Sequence, residues 1–214
     1  MCGVHVFKYS CVNISFLEHM NTFKIMSSII PGFKYDVYIS YRHRDQTLEW
    51  VKEFAEKLKQ ELDTTIKSKP TIYYSAEPGD QAGLPAEALA QAGKDDLKSL
   101  IFIPVISDTY CDNDKETWQE FLQFRKNASS DPLGLNLTLP NGEVVSRILP
   151  VKISKIADNI QTLLKKELEG NLRSLDFIFD GIEGVTRPLR ANDDEMVFRQ
   201  GSLLYRNQIN RASA

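Results

Sequence analysis

Cysteine and histidine are scarce in this chain of 214 residues. The three cysteines, Cys2, Cys11 and Cys111, are scattered and form neither the Cys-x-x-C pair of a zinc site nor the framework of a disulfide scaffold. Two of the three histidines, His5 and His19, precede the first clear strand, which leaves little for histidine-based metal binding or acid–base catalysis. We therefore expect no metal site, and the cysteine usage favours a reducing, cytoplasmic compartment.

The chain also lacks an excess of either charge and any long apolar run. Lys plus Arg number 26 and Asp plus Glu number 29, so the net charge of −3 offers no basic surface for nucleic acid. No apolar run reaches the roughly 20 residues that span a bilayer, so we expect no membrane partner either. Hydrophobic residues make up 42% of the chain, which supports the core of one domain with appendages.

Three motifs of common enzyme classes are absent. The first predicted strand is followed by Arg42-His43-Arg44-Asp45 and not by the glycine-rich fingerprint of dinucleotide-binding domains. Neither the phosphate-binding Gly-x-x-x-x-Gly-Lys loop nor the Gly-x-Ser-x-Gly nucleophile elbow occurs. These absences disfavour a classical dehydrogenase, a P-loop nucleotidase and a serine hydrolase.

Hydrophobic patterning predicts strands that alternate with helices. Five segments are aromatic, β-branched or continuously apolar, as buried strands are, and they begin near Tyr35, Thr71, Leu100, Ile148 and Leu175. Amphipathic or alanine-rich segments predict helices over 46–62, 84–96, 116–126 and 157–168. Repeated strand–helix units indicate an α/β fold, with an open parallel sheet and helices on both faces.

One segment departs from this alternation. Over 131–145, leucines alternate at Leu135, Leu137 and Leu139, and Asn141-Gly142 follows them. Asn-Gly beside an alternating run is the strongest short-range signal of a hairpin. We therefore predict a β-hairpin insertion between the third and fourth strands of the sheet.

The chain divides into three predicted parts. Residues 1–33 mix apolar and polar residues without a period, and are either a natural flexible arm or the result of a start assigned too early. Residues 34–182 hold the α/β domain. Residues 183–214 form a C-terminal helix or tail, with Asp193 and Asp194 where a last helix would begin.

Two motif boxes and a helix carry a family resemblance. Residues 35–42 read Tyr-Asp-Val-Tyr-Ile-Ser-Tyr-Arg, Ser107-x-x-Tyr110 closes the third strand, and Trp118-Gln119-Glu120 lies on the next helix. In this order they resemble the Toll/interleukin-1 receptor/resistance (TIR) domain over about residues 34–180, and the hairpin is similar to that of bacterial members. The resemblance implies a flavodoxin-like five-stranded sheet with strand order 2-1-3-4-5.

The resemblance also implies an activity. Many bacterial and plant TIR domains hydrolyse NAD+ at the nicotinamide–ribose bond, and some cyclise the product. We therefore expect NAD+ as the substrate, no resident cofactor, linear or cyclic ADP-ribose as a product, and a role in bacterial antiphage defence. Other TIR protomers are the expected partners, in a homo-oligomer that forms on activation, with the loop over 75–83 gating the pocket or meeting the next protomer.

The same resemblance assigns the site residues. Glu120 is the expected catalytic carboxylate, because a carboxylate near the ribose stabilises an oxocarbenium-like transition state, as in glycosidases. Arg42 is expected to hold the diphosphate and Trp118 to stack on a ring of the substrate. The complete set of expected substrate-binding residues is Ser40, Tyr41, Arg42, Trp118 and Tyr110.

Two departures from the family pattern leave alternatives open. Glu120 follows Trp118 by two residues, whereas the family's glutamate usually follows by three or four, and residues two apart point about 200° apart on a helix. Glu116 is therefore a second candidate. Ser75 stands where the family often has an acidic residue.

Less specific interpretations apply to each residue. Glu120 could be a solvated helix glutamate, Trp118 a core aromatic, and Arg42 a surface arginine paired with Asp45 or Glu49. For the chain as a whole, the alternative is a non-catalytic TIR module that acts by homotypic association. A weaker one is a flavodoxin-like signalling domain without enzymatic activity.

Overall fold

A computed structural model describes residues 28–43, 47–74, 98–112, 116–170, 173–180, 186–193 and 204–213. Most of the predicted N-terminal arm, the predicted loop over 75–83 and the predicted helix over 84–96 lie outside these ranges. Among the described residues, no helix is both long and apolar enough to cross a membrane.

The described elements alternate as the patterning predicts. The strands are β1 Tyr35–Ser40, β2 Ile72–Tyr74, β3 Ser99–Ile106, β4 Asn136–Thr138, β5 Val144–Ser146, β6 Val151–Lys152, β7 Leu175–Asp176, β8 Ile178–Asp180 and β9 Thr186–Pro188. The helices are α1 Leu48–Thr65, α2 Glu116–Ser130, α3 Asp158–Glu167 and α4 Leu204–Ser213. Each predicted helix that falls within the described ranges is present, with ends that differ by a few residues.

The main sheet has five strands in the order β2-β1-β3-β6-β7, and every neighbouring pair is parallel. This confirms the α/β class and the five-stranded parallel sheet. The numerical order differs from the expected 2-1-3-4-5, because the strands β4 and β5 intervene along the chain and form a sheet of their own. β1 lies between β2 and β3, so the connection after β1 and the connection after β2 run in opposite directions across the sheet.

The predicted hairpin insertion is confirmed. β4 and β5 pair antiparallel, with Leu137 opposite Val145. Gly142 donates its backbone N–H to the carbonyl of Leu139 over 2.9 Å, and Glu143 accepts from Leu139 over 2.8 Å. Gly142 has a φ of 84°, a left-handed conformation that glycine adopts without steric strain.

The strand predicted to begin near Leu175 does begin there, but the extended segment is divided between two sheets. Its first part is β7, which pairs with β6, whereas β8 pairs antiparallel with β9 in a separate two-stranded sheet. Apolar patterning marks extended backbone but does not identify the partner strand. Pro188 ends β9, where an edge position tolerates its missing N–H.

Helices cover both faces of the main sheet. α1 and α4 pack on one face through a cluster that includes Trp50, Phe54 and Tyr205, and α2 and α3 pack on the other. The Tyr205 ring lies edge-on to Phe177 at 5.4 Å, so this part of the predicted C-terminal tail belongs to the domain core. Side chains along β1 alternate between the faces, with Ile39 facing α1 and Tyr38 facing α2.

Candidate active site

Three polar side chains from distant parts of the chain meet at the carboxyl edge of the main sheet. Ser40 is the last residue of β1, Tyr110 lies in the turn after β3, and Glu120 lies near the start of α2. In open α/β sheets, ligands bind at this edge where the connections diverge. The fold therefore places these residues where a substrate site is expected.

The hydroxyl of Ser40 links the other two groups. Its Oγ donates to Glu120 Oε2 over 2.7 Å and lies 2.8 Å from the Tyr110 hydroxyl oxygen. Because a serine hydroxyl carries a single hydrogen, the Tyr110 hydroxyl must be the donor in the second bond. Ser40 is 2% exposed and Tyr110 is fully buried, so the bond between them is shielded from water, whereas the bond to Glu120 is partly buried.

Tyr38 is a fourth member of the site that the sequence analysis missed. Its side-chain hydrogen bond to the Glu120 carboxyl favours the ionised form of that group. Tyr38 and Ser40 are two residues apart on β1, so their side chains project to the same face of the sheet. The period-two pattern of the first motif box was the signal that could have identified it.

The helix α2 presents Glu120 to the sheet edge despite its unusual spacing from Trp118. Thr117, three residues before Glu120 and therefore on the same helix face, bonds through Oγ1 to the Tyr110 carbonyl over 3.3 Å. Trp118 points elsewhere: it is 3% exposed and its ring stacks on Phe121 at 4.8 Å. The two residues thus occupy different faces, and Trp118 lies in the core.

The electrostatic setting of Glu120 is unusual for a glutamate. Burial raises the pKa of its carboxyl group above the ordinary value, and the nearby Glu116 carboxylate raises it further. The hydrogen bonds from Ser40 and Tyr38 act in the opposite direction but only in part offset burial. Among the described residues, no cation forms an ion pair with Glu120.

The other expected substrate-binding residues are not gathered around Glu120 in the same way. Tyr41 is buried on the α1 face, with its ring 4.7 Å from that of His43. Arg42 lies with its guanidinium 3.4 Å from the Thr109 carbonyl and 3.7 Å from the Asp112 carboxylate, instead of pairing with Glu49. Their assigned roles stay predictions, as does the stacking role of the buried Trp118.

A cleft opens at the same edge of the sheet. It has a volume of about 260 Å³ and is lined by Thr47, residues 107–109, residues 153–154 and residues 186–188. Within it, Ser154 Oγ donates to Asp108 over 2.7 Å. The lining combines apolar side chains with a few polar groups, as is usual for small-molecule sites.

Two other chemistries find little support in the described part of the chain. No group of three or more His, Cys, Asp or Glu residues there is arranged to hold a metal ion. Cys111 is buried, and burial raises the pKa of its thiol to about 12. Since the thiolate is the reactive form, Cys111 is not a nucleophile at neutral pH.

A comparison of the chain with models of protein families matched none of them, and a comparison with curated proteins also gave no match. The resemblance to TIR domains therefore rests on the motif residues themselves and stays a prediction.

Proposed function

We propose that this chain is an NAD+ hydrolase of the TIR type, in which Glu120 stabilises the ribose cation that forms when nicotinamide leaves. The observation that carries the proposal is the half-buried Glu120 carboxylate, held at the carboxyl edge of the sheet by hydroxyl groups. A carboxyl group whose pKa is raised by burial in such a position is a candidate for chemistry, since a purely structural carboxylate gains more from a cationic partner.

The chemistry of NAD+ suits a carboxylate without a counter-cation. When the nicotinamide–ribose bond breaks, its electron pair neutralises the pyridinium ring, and positive charge develops on the ribose. Water then adds to the ribose carbon and loses a proton, giving ADP-ribose. A carboxylate stabilises the developing cation most where water is partly excluded, and an adjacent arginine or lysine would cancel that effect.

The burial of the neighbours supports a requirement for assembly. Ser40, Tyr110 and Trp118 are each at most 3% exposed, so substrate reaches the site through Glu120 and its surface rim. Those three buried residues offer an NAD+ molecule little surface to contact. We propose that a second TIR protomer supplies the remaining contacts, as the resemblance implies, and that NAD+ and further copies of the chain are the partners.

Nicotinamide release tests the proposal directly. We expect Glu120→Ala to abolish release, and wild-type specific activity to rise with protein concentration over about a hundredfold range. Glu56→Ala, an exposed glutamate on α1, is the matched control and should retain activity. Loss of activity in Glu116→Ala but not in Glu120→Ala would assign the role to the other glutamate.

The same burial favours a second candidate, a non-catalytic module that self-associates. Four of the five expected substrate-binding residues have little surface to offer a ligand. In that case wild-type protein releases no nicotinamide at any concentration, while sedimentation shows concentration-dependent association. Release by wild type that Glu120→Ala abolishes would reject this candidate.

A further inference from the structure

We propose that Tyr110 and Ser40 form a directed hydrogen-bond relay that positions the Glu120 carboxylate, and that both residues act through Glu120 without touching the substrate. The catalytic consequence rests on the proposed function, whereas the relay itself does not. This assigns Ser40 and Tyr110 a different role from the substrate-binding one that the family resemblance implies.

The direction of the relay follows from hydrogen counting. Ser40 has one hydrogen and gives it to Glu120 over 2.7 Å, so its lone pair accepts from Tyr110 over 2.8 Å. Burial raises the pKa of the Tyr110 hydroxyl well above its usual range, so this group keeps its proton at all physiological pH values. A donor that cannot ionise fixes the orientation of the serine hydroxyl toward the carboxylate.

Tyr110, the first donor of the relay, is held in place by its surroundings. Tyr110 is fully buried, and its backbone carbonyl accepts from Thr117 on the same helix as Glu120. The helix and the turn after β3 are thus bonded to each other at two points, one through the backbone and one through Ser40. The first bond holds the helix against the turn, and the second restrains the Glu120 carboxylate directly.

Within the described ranges, the titratable groups around Glu120 come from three elements. Tyr38 faces it from β1 as a second donor, Tyr110 lies behind Ser40 in the turn after β3, and Glu116 lies on α2 itself. Glu116 is the one carboxylate of this set, and it is exposed. The hydroxyls therefore offset burial by hydrogen bonding, not by opposite charge.

The test is the titration of the Glu120 side-chain carboxyl carbon, followed by NMR in the full-length protein and assigned with Glu120→Gln. We expect the pKa of Glu120 to rise in Ser40→Ala, to rise less in Tyr110→Phe, where Ser40 can still donate, and to stay near the wild-type value in Ser40→Thr. Ser99→Ala is the matched control, because Ser99 is a buried serine at the opposite end of the neighbouring strand.

Activity gives a second readout. In Ser40→Ala, we expect the acid limb of the pH profile of nicotinamide release to move to higher pH, with about tenfold lower release on that limb, the size of one lost charge-assisted hydrogen bond. An unchanged pKa of Glu120 in Ser40→Ala, or in Tyr110→Phe if the alanine variant does not fold, would overturn the relay. A shifted pKa in a protein that releases no nicotinamide would uphold the relay and reject the proposed function instead.

Discussion

Two charged side chains enter the interior at opposite ends of the sheet, and their surroundings differ. Arg147, near the amino end of β3, is 1% exposed. Its guanidinium pairs with Asp131 at 2.6 Å and donates to three backbone carbonyls, those of Gly134 and of the first two residues of β3. Every face of this cation meets an acceptor or an aromatic ring.

Glu120, at the carboxyl end, has hydroxyl partners and a like-charged neighbour, and the described ranges hold no cation paired with it. A buried charge that is fully paired serves the fold, because removing its partner leaves an uncompensated charge. A carboxylate left short of pairing reduces stability but keeps its charge available to a ligand. The comparison separates a structural charge from a candidate functional one without reference to any family.

The largest effect is expected at the structural charge. Arg147→Met should lower the free energy of unfolding by about 3–5 kcal/mol, since it leaves Asp131 without its counter-cation and three backbone carbonyls without the guanidinium donor. Urea unfolding measures the change. Arg173→Met is the matched control, because Arg173 reaches the same hairpin through an exposed contact of 3.8 Å to Glu143, and exposed pairs contribute less than about 1 kcal/mol.

A loss in Arg147→Met no larger than in Arg173→Met would contradict the structural role of the buried cation. Arg147→Lys refines the comparison, because a lysine keeps the charge but cannot replace the guanidinium fork. We expect its stability to lie between those of the wild type and the methionine variant.

A smaller loss is expected at Asp36, the buried carboxylate of the first motif box. Its two oxygens accept from Ser28 Oγ, the Ile29 N–H, and both the N–H and the hydroxyl of Thr71, over 2.6–2.9 Å. In Asp36→Asn, one pair of these donors would face an amide group, so we expect a loss of about 2 kcal/mol in thermal or urea unfolding.

Asp63→Asn, an exposed aspartate on α1, should change the free energy of unfolding by less than about 0.5 kcal/mol. Equal stability of the two variants would show that Asp36 is not the junction between residues 28–29, β1 and the start of β2. It would also weaken the contrast between a satisfied carboxylate and Glu120.

The smallest expected change in the free energy of unfolding is at Glu120, and there the substitution stabilises the protein. The pKa of Glu120 is raised in the folded state, so the stability linked to its protonated form is present below the unfolded pKa and is lost as pH rises through the folded pKa. Glu120→Gln should therefore be more stable than wild type at neutral pH, by up to about 1 kcal/mol. The difference should shrink as pH falls toward about 4.

Urea unfolding at several pH values measures this difference, with Glu56→Gln as the exposed control. A Glu120→Gln variant that is less stable at neutral pH, or whose stability difference does not depend on pH, would show that Glu120 is an ordinary structural carboxylate. The stability of the glutamine variant and its activity are measured independently.

Much of the fold could be predicted from patterns over a few neighbouring residues of the sequence. β1 begins at the predicted residue because five of the seven residues over 35–41 are aromatic or β-branched and favour extended backbone over helix. The hairpin followed from Asn141-Gly142, since a turn of this kind needs a residue that tolerates positive φ. The buried face of α1 could be predicted from the spacing of its apolar residues.

Only part of the candidate site could be predicted from the sequence. Ser40, Tyr110 and Glu120 were named from the motif boxes, but as separate residues with a substrate role for two of them. Their mutual contact, the participation of Tyr38, and the burial of Trp118 depend on how α2 and the turn after β3 pack on β1. None of these contacts joins residues close in the sequence.

By itself, then, the amino-acid sequence determined the order of strands and helices, the apolar faces and the hairpin, because each depends on backbone preference and periodicity over a few neighbouring residues. The tertiary structure alone decided the burial of Arg147 and the hydroxyl surroundings of Glu120. Each of those depends on side chains brought together over many residues, for example the 80 that separate Ser40 from Glu120. Burial and hydrogen-bond partners, and with them a carboxyl group's pKa, are properties of that packing and not of the local sequence.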